Sequence, residues 1–195
     1  MSTIVLATDN LHKLHEITDF LSVERYTWHT QNQYQVTPAV EDQLTFAANA
    51  LKKARNAQQQ TGQTSLADDS GLCVPALHNA PGIYSARYAG LTASAEQNSQ
   101  QLLTAMQGLT GAQRQAFFVC CLAYVTDPES APHFFYGYWH GEIILSERGD
   151  KSFGYNNIFY VQDLSATAAE LSIAVRNKIS HRAIALTKFK NFLCR

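Results

Sequence analysis

The chain has 195 residues, 46% of them hydrophobic and 16% charged, with a formal net charge of −1. This length and composition predict one globular domain, covering residues 1–195, with a sizeable buried core. A near-neutral chain offers no basic surface for DNA or RNA, and no segment reaches a membrane-spanning length, so we expect neither kind of partner. The first residues lack the basic and apolar regions of a signal peptide, which favours a cytoplasmic location.

The chain contains four cysteines, Cys73, Cys120, Cys121 and Cys194. Their spacing matches neither a metal site nor a small disulfide scaffold. We therefore expect reduced thiols that are mostly buried.

The first third of the chain alternates between strand and helix patterns. A short apolar run predicts a strand over 3–8, and the polar Asp9-Asn10 pair then begins an amphipathic helix. That helix carries an apolar side made of Leu11, Leu14, Ile17 and Leu21. The elements predicted after it are a strand over 25–30, an alanine-rich helix over 44–60 and a strand over 65–67.

The later part of the chain predicts antiparallel pairing. A Pro81-Gly82 turn, residues 83–88 and a helix over 93–106 continue the strand–helix alternation. The further elements predicted are a hairpin of strands over 115–126 and 133–145, a loop or bent strand over 151–160, and a final helix capped by Ser180 with Ile184, Leu186, Phe189 and Leu193 as its apolar stripe. The expected fold class is α/β, with a mixed sheet flanked by helices and a cleft between the two parts.

The segment Ala67-Asp68-Asp69-Ser70-Gly71 is the strongest chemical signal in the chain. Adjacent carboxylates after an apolar strand predict metal binding or activation of water. Successive side chains of an extended segment point to opposite faces, so one aspartate is expected to serve the reaction and the other to support it. A capped turn explains the same pentapeptide, because Asp, Ser and Gly are common turn residues.

Two more groups could bind an anion or a metal. Thr8, Asn10 and Lys13 lie where a strand ends and a helix begins, a junction that suits phosphate. A simple N-cap followed by a surface lysine is the alternative there. Glu41-Asp42 could join Asp69 around Mg²⁺, which favours oxygen ligands. For Asp42 we favour an ordinary acidic residue near a helix N-terminus.

Two later segments could contact a nucleotide base or its phosphates. The stretch 152–157 combines aromatic rings with amides and a glycine, and it could stack on a base or form a turn with packed aromatics. Ser180-His181-Arg182 offers hydrogen-bond donors to carbonyl or phosphate oxygens, or simply a capped helix start.

These motifs occur together in a characteristic order. They are Thr8-x-Asn10-x-x-Lys13, Glu41 before Thr45-Phe46 and Asn49-Ala50, Ala67-Asp68-Asp69-Ser70-Gly71, Ala80-Pro81-Gly82-Ile83-Tyr84-Ser85-Ala86-Arg87-Tyr88, Phe153-Gly154-Tyr155 and Ser180-His181-Arg182. The set resembles the inosine triphosphate pyrophosphatase family, the non-canonical purine nucleoside triphosphate pyrophosphatases, over nearly the whole chain.

The resemblance implies an elongated two-lobed α/β fold around a long mixed sheet, a homodimer and an Mg²⁺-dependent hydrolase. Its substrates would be ITP, dITP and XTP, hydrolysed to the nucleoside monophosphate and pyrophosphate, which cleanses the nucleotide pool. Asp69 would be the general base, with Glu41 and Asp69 serving the metal. The implied substrate-binding residues are Thr8, Asn10, Lys13, Ser70, Phe153, Gly154, Tyr155, Asn156, Arg176, His181 and Arg182.

The chain departs from the family pattern at several positions. Ala48 replaces a glutamate, Asn156-Asn157 replaces Asp-Pro, and Ser152 replaces a glycine. Arg176 replaces a lysine, with Lys178 nearby as a substitute. These departures leave two alternatives open: a non-catalytic nucleotide-binding protein on the same fold, or a pyrophosphatase with altered base preference.

Overall fold

A computed structural model describes residues 2–21, 25–150 and 154–194. The α-helices are α1 (Leu11–Phe20), α2 (Phe46–Thr61), α3 (Ala95–Ala105), α4 (Ile173–Ile179) and α5 (His181–Leu193). The strands are β1 (Ser2–Leu6), β2 (Tyr26–Thr30), β3 (Thr64–Val74), β4 (Ala80–Pro81), β5 (Gln115–Val125), β6 (His133–Ile143), β7 (Phe159–Val161) and β8 (Ala166–Thr167). No helix among these described residues is long and apolar enough to cross a membrane.

The strands form one mixed sheet in the order β2-β1-β3-β5-β6-β7-β8, with β4 paired to β3. Strand β1 runs parallel to β2 and β3, whereas β7 runs antiparallel to β6 and β8. The predicted α/β class with a mixed sheet flanked by helices is therefore confirmed.

The chain is divided into two compact units. The first comprises Met1–Asp69, Cys120–Gly137 and Arg182–Arg195, and the second comprises Ser70–Val119 and Tyr138–His181. Strands β3, β5 and β6 each contribute residues to both units.

The core of the first unit lies on both faces of its strands. In β1, Ile4 and Leu6 belong to one apolar cluster, while Val5 belongs to another, as the alternation of a strand requires. Helices α1 and α5 cover the first face, and α2 covers the second. The first cluster consists of Ile4, Leu6, Leu14, Ile17, Leu21, Leu66, Cys120, Leu122, Tyr124, Ala185, Leu186, Phe189 and Leu193.

The core of the second unit is built around aromatic rings. The ring centroids of Phe118 and Phe159 are 4.7 Å apart, and those of Trp139 and Phe159 are 5.2 Å apart. Helix α3 adds Leu102, which is fully buried. Tilted ring pairs at these distances are favourable beyond the area that they bury.

Arg114 joins two segments of the second unit, 106–109 and 143–144, through their backbone carbonyls. Its Nε donates to Ile143 O at 2.6 Å, and its Nη2 donates to Ile144 O at 2.9 Å. Its Nη1 donates to Met106 O at 3.3 Å and to Leu109 O at 3.2 Å. The planar fork of the guanidinium is what allows one side chain to reach all four acceptors.

We expect Arg114→Lys to lower the free energy of unfolding by about 2 kcal/mol, because a lysine ammonium cannot replace the fork at four carbonyls. Urea unfolding followed by circular dichroism measures the change. Arg55→Lys on the exposed side of α2 is the matched control and should leave the midpoint in place. Equal midpoints for the two variants would contradict a bracing role for Arg114.

Several predicted elements differ from the structure. Strand β3 extends through Asp68, Asp69, Ser70 and Gly71, so the capped-turn alternative for this pentapeptide and the predicted end of the strand at residue 67 are wrong. The place of β3 inside the sheet, between β1 and β5, and the burial of this stretch outweigh the turn preference of these residues. Leu11 is 67% exposed and does not join the apolar side of α1.

Two local predictions need further correction. Residues Gly82–Arg87 form a 3₁₀ helix rather than continuing the strand pattern. The short helix α4 was not predicted; it ends with Ser180 as its C-cap, which is also the residue directly before α5. The predicted burial of thiols is confirmed for Cys73, Cys120 and Cys121, while Cys194 is exposed and all four are free.

Candidate active site

Asp68 and Asp69 lie on opposite faces of β3, as the alternation of an extended segment predicts. Asp68 points to the face covered by α1 and α5, where it pairs with Lys13 and Arg182. Asp69 points to the face covered by α2, where it pairs with Lys53. Two neighbouring carboxylates therefore have separate surroundings within the first unit.

Asp68 is the centre of a buried polar network. Its Oδ1 accepts from the ammonium of Lys13, and its Oδ2 accepts from Arg182 Nε at 3.2 Å and from Cys120 Sγ at 2.9 Å. Its side chain has no exposed surface. Burial opposes its ionisation, but the guanidinium of Arg182 and the ammonium of Lys13 hold the pKa of Asp68 well below its usual value. Asp68 is thus a fixed negative charge.

Arg182 is held by two carboxylates. Besides Asp68, its Nη1 forms an ion pair with Glu16 Oε2 on α1. Burial disfavours the charged guanidinium, but Asp68 and Glu16 outweigh that cost and raise the pKa of Arg182. The Arg182 side chain is 8% exposed, so the sequence-based picture of an exposed polar residue at a helix start does not hold for it.

Asp69 faces a different pair of charges. Lys53 Nζ lies 2.6 Å from Glu41 Oε1 and 3.4 Å from Asp69 Oδ1. Asp69 Oδ2 is buried and has no hydrogen-bond partner among the residues that the structure describes. Burial is the main reason why the pKa of Asp69 is raised, with Lys53 and Lys13 opposing the shift.

Glu41 is placed by the loop that precedes α2. Asn49 on that helix accepts from Gln43 N at 3.0 Å and donates to Gln43 O at 3.4 Å, which ties the loop to the helix. Asp42 instead pairs with Lys52 at an exposed position, in line with the ordinary role favoured for it from the sequence. Ala48 lies in the first turn of α2 and contributes no carboxylate there.

The Asp69 surroundings fit a divalent cation that also binds substrate phosphates. Mg²⁺ is usually held by one or two carboxylates together with water and phosphate oxygens. Glu41 and Asp69 share one ammonium, and Asp69 Oδ2 is a buried acceptor without a donor. No group of three or more His, Cys, Asp or Glu residues in the described ranges could hold a metal alone, so the fit requires oxygen atoms from outside the chain.

The start of α1 combines features of both sequence-based interpretations. Asn10 is the N-cap, and its Oδ1 accepts from His12 N at 3.1 Å and from Lys13 N at 3.2 Å. Thr8 Oγ1 accepts from Asn10 N at 3.2 Å. The cap therefore satisfies N–H groups that were expected to attract an anion. Lys13, however, is no surface lysine, because it pairs with the buried Asp68.

The other predicted site residues belong to the second unit. Ser70 follows Asp69 on β3. Tyr155 is buried in the aromatic core and donates from its hydroxyl to Ser85 O at 2.8 Å, which is the packed alternative left open above. The carbonyl of Gly154 accepts from Ser99 Oγ at 3.3 Å, and the carbonyl of Asn156 accepts from Ala169 N. Phe153, like Ser152, lies outside the described residues.

Arg176 lies on α4, and His181 is the first residue of α5. Arg176 Nη1 donates to Ala168 O at 3.0 Å, so this side chain contacts backbone. The ring of His181 stacks on Phe118, with centroids 4.9 Å apart and an interplanar angle of 13°. Their roles toward a substrate stay predictions.

Three contributors to these networks were missed from the sequence: Lys53, Glu16 and Cys120. Glu16 follows Lys13 by three residues, and side chains at that spacing share a helix face. That spacing is a signal that could have drawn attention to Glu16. Nothing local marked Lys53 or Cys120, because their partner Asp69 or Asp68 is distant in sequence.

The fold and the Asp68–Asp69 arrangement define a class: a mixed α/β protein in which one strand presents a carboxylate to each face beside cationic side chains. Within that class, the chain belongs to the Ham1 family, whose family model matches residues 4–192. The predicted family resemblance is thereby confirmed.

Relatives and solved structures agree over almost the whole chain. The chain is 46% identical over 187 residues to a dITP/XTP pyrophosphatase of Yersinia pestis, covering 95% of each protein. It is 41% identical over 196 residues to the enzyme of that name from Acinetobacter baylyi, covering 98% of this chain and 93% of the relative. The structure of a HAM1 protein from Coxiella burnetii superposes with a TM-score of 0.94 at 40% identity, covering 100% and 99% of the two chains.

Proposed function

We propose that this protein hydrolyses the non-canonical purine nucleoside triphosphates ITP, dITP and XTP to the nucleoside monophosphate and pyrophosphate, with Mg²⁺ as cofactor. The observation that carries the proposal is Asp69, a buried carboxylate with one oxygen that lacks a donor, beside Lys53 and Glu41. The names of relatives that share 41–46% of its residues support the same activity.

In this proposal Asp69 is the general base. Its carboxylate takes a proton from water as the water oxygen forms a bond to the α-phosphorus, while the bond from that phosphorus to the α,β-bridging oxygen breaks. Pyrophosphate leaves with the electron pair of the broken bond. A buried base with a raised pKa holds a proton more readily than an ordinary aspartate does.

In this proposal, cationic groups neutralise the negative charge of the triphosphate. Glu41 and Asp69 would hold Mg²⁺, which neutralises charge on the phosphate oxygens when it is bound. Lys13 supplies a positive charge near the start of α1, next to Asp68. The side chains of Thr8 and Asn10 accept hydrogen bonds from backbone N–H groups at the start of this helix.

Recognition of the base is proposed to depend on hydrogen-bond donors. Inosine and xanthosine carry an oxygen where adenosine carries an amino group, so a donor such as Arg182 would be satisfied by the former and face another donor in the latter. The residues Ser70, Phe153, Gly154, Tyr155, Asn156, Arg176 and His181 keep the substrate-binding role that the family resemblance implies. We also propose that the protein is a homodimer, as the family resemblance implies. We further propose a cytoplasmic location, since four free thiols suit a reducing compartment.

Ala48 gives a reason to consider a second function. Without a carboxylate at this position of α2, the chain could bind a nucleotide without hydrolysing it. Asn156, a neutral amide where the family has an anionic acceptor, would instead favour an altered choice of base.

The deciding experiment is release of pyrophosphate from ITP, dITP, XTP, GTP and ATP by purified protein with Mg²⁺. We expect turnover of the first three, slow turnover of ATP, and loss of activity when EDTA removes the metal. Activity that survives EDTA would contradict the metal assignment. Tight binding of ITP in calorimetry without turnover would establish the non-catalytic alternative, and a preference for another triphosphate would establish altered base choice.

A further inference from the structure

Asn49 is a buried polar residue to which the proposed reaction gives no role. It lies near the start of α2 and is 1% exposed. Its side-chain oxygen accepts from Gln43 N at 3.0 Å, and its amide nitrogen donates to Gln43 O at 3.4 Å. One side chain therefore binds both backbone polar groups of a single loop residue, and that residue lies two positions after Glu41.

Helix α2 contacts three consecutive residues of this loop, 41–43. The three contacts are Lys53 with Glu41, Lys52 with Asp42, and Asn49 with Gln43. They differ in what they contribute to the position of the loop. The pair of Lys52 with Asp42 is exposed, and exposed ion pairs contribute little to stability.

The contact of Lys53 with Glu41 uses a carboxylate oxygen that the proposed cation also requires. Lys53 Nζ lies 2.6 Å from Glu41 Oε1 and 3.4 Å from Asp69 Oδ1. Both carboxylates would have to share their lone pairs between this ammonium and Mg²⁺. The ion pair therefore becomes a weaker hold on Glu41 under the conditions in which the position of Glu41 matters.

Asn49 holds the loop without using a carboxylate. Its hydrogen bonds end on the backbone N–H and C=O of Gln43, so they persist whether Glu41 contacts a lysine or a metal ion. Two bonds to one residue fix both the position and the direction of the loop backbone. The helix start that carries Asn49 is fixed in turn by Thr45, whose Oγ1 accepts from Ala48 N at 3.1 Å.

We propose that Asn49 is a positioning residue for Glu41 and that it sets the affinity of the site for the divalent cation. The inference rests on the proposed function, in which Glu41 and Asp69 bind Mg²⁺ together with phosphate oxygens. Asp69 lies on a strand inside the sheet, whereas Glu41 lies in a loop, so the hold on the loop determines how the two carboxylates face each other. Asn49 acts through the loop backbone and not on the cation.

The test is the Mg²⁺ dependence of pyrophosphate release from ITP by Asn49→Leu. Leucine has a similar size but no hydrogen-bonding group. We expect the half-saturating Mg²⁺ concentration to rise about 10- to 100-fold, because loss of a residue that orients a metal ligand weakens metal binding by that factor. At saturating Mg²⁺, kcat should stay close to the wild-type value. General damage to the fold gives the reverse pattern, a lower kcat at an unchanged Mg²⁺ requirement.

Asn56→Leu is the matched control, because it is the same substitution two turns later on the same helix. Asn56 donates to Thr37 O at 2.8 Å, near the other end of the loop, and Gln60 donates to that same carbonyl at 3.0 Å. This control should keep the wild-type Mg²⁺ requirement. If Asn49→Leu does not fold, Asn49→Ser, whose side chain is too short to reach both groups of Gln43, is judged by the same criterion. An unchanged Mg²⁺ requirement at position 49, or an equal rise in Asn56→Leu, would overturn the inference.

A second measurement separates failure of this inference from failure of the proposed function. Mn²⁺ is titrated in the presence of an ITP analogue with nitrogen in place of the α,β-bridging oxygen, and binding to the protein is followed by the relaxation of water protons. If the wild type binds Mn²⁺ but releases no pyrophosphate from ITP, the proposed reaction is wrong. A dissociation constant about 10-fold or more higher in Asn49→Leu than in Asn56→Leu then still supports the positioning role. Equal dissociation constants in the two variants, or no binding of Mn²⁺ by the wild type, overturn it.

Discussion

Replacing Asp69 by asparagine should abolish most turnover while the protein stays folded. The amide cannot accept a proton from water at neutral pH, and loss of a general base costs about 10²- to 10⁴-fold in rate. The expected change is in kcat for ITP, measured as pyrophosphate released with saturating Mg²⁺. Retained kcat would refute Asp69 as the base.

The fold should tolerate this change because the environment of Asp69 does not favour its charge. Burial raises the pKa of Asp69, and its contact to Lys53 is long at 3.4 Å. Lys53 keeps its shorter contact to Glu41 at 2.6 Å when Asp69 is neutral. The melting temperature of Asp69→Asn should therefore equal or exceed that of the wild type.

A matched control for Asp69→Asn is Asp163→Asn, in the exposed turn after β7. It removes the same charge without touching the proposed site, so both kcat and the melting temperature should stay at wild-type values. An Asp69→Asn protein that unfolds at a much lower temperature would show that this carboxylate stabilises the fold, and its loss of activity would then say little about the base.

Much of the fold follows from apolar periodicity, and the errors have local causes. Leu14 and Ile17 are buried on α1 as predicted, whereas Leu11, the first residue of the helix, is exposed. The extent of β3 was underestimated because Asp68 and Asp69 have turn preferences that ladder pairing and buried cations override. Preferences of single residues carry no information about such partners.

The carboxylates of the candidate site could be predicted from the sequence, whereas most of their ion-pair partners could not. Asp69 and Glu41 stand in recognisable motifs, and the structure brings both to Lys53. The pairing of Asp68 with Arg182 joins residues 114 positions apart, which no local pattern specifies. The sequence therefore indicates which side chains carry the chemistry, while the tertiary structure determines which charged side chains pair with one another.

Asp68→Asn should have the opposite effect from Asp69→Asn, because we expect its main consequence to be a loss of stability. Its side chain is fully buried between Lys13 and Arg182, and removing one member of a buried ion pair costs about 3–5 kcal/mol, because the remaining charge is left without compensation. For a chain of this size that loss lowers the melting temperature by about 6–20 °C. Thermal unfolding followed by circular dichroism measures it.

The contrast with an exposed pair makes the Asp68 prediction specific. Asp42→Asn also removes a carboxylate from a lysine, but Asp42 and Lys52 are solvent-exposed and the pair is screened, so the melting temperature should hardly change. Cys120 and Glu16 remain in Asp68→Asn, yet the thiol carries no charge and Glu16 contacts only Arg182 of the two cations. Lys13 then loses the carboxylate with which it forms an ion pair. The loss of stability should therefore exceed that for any surface pair. A melting temperature equal to that of Asp42→Asn would contradict the central role of Asp68.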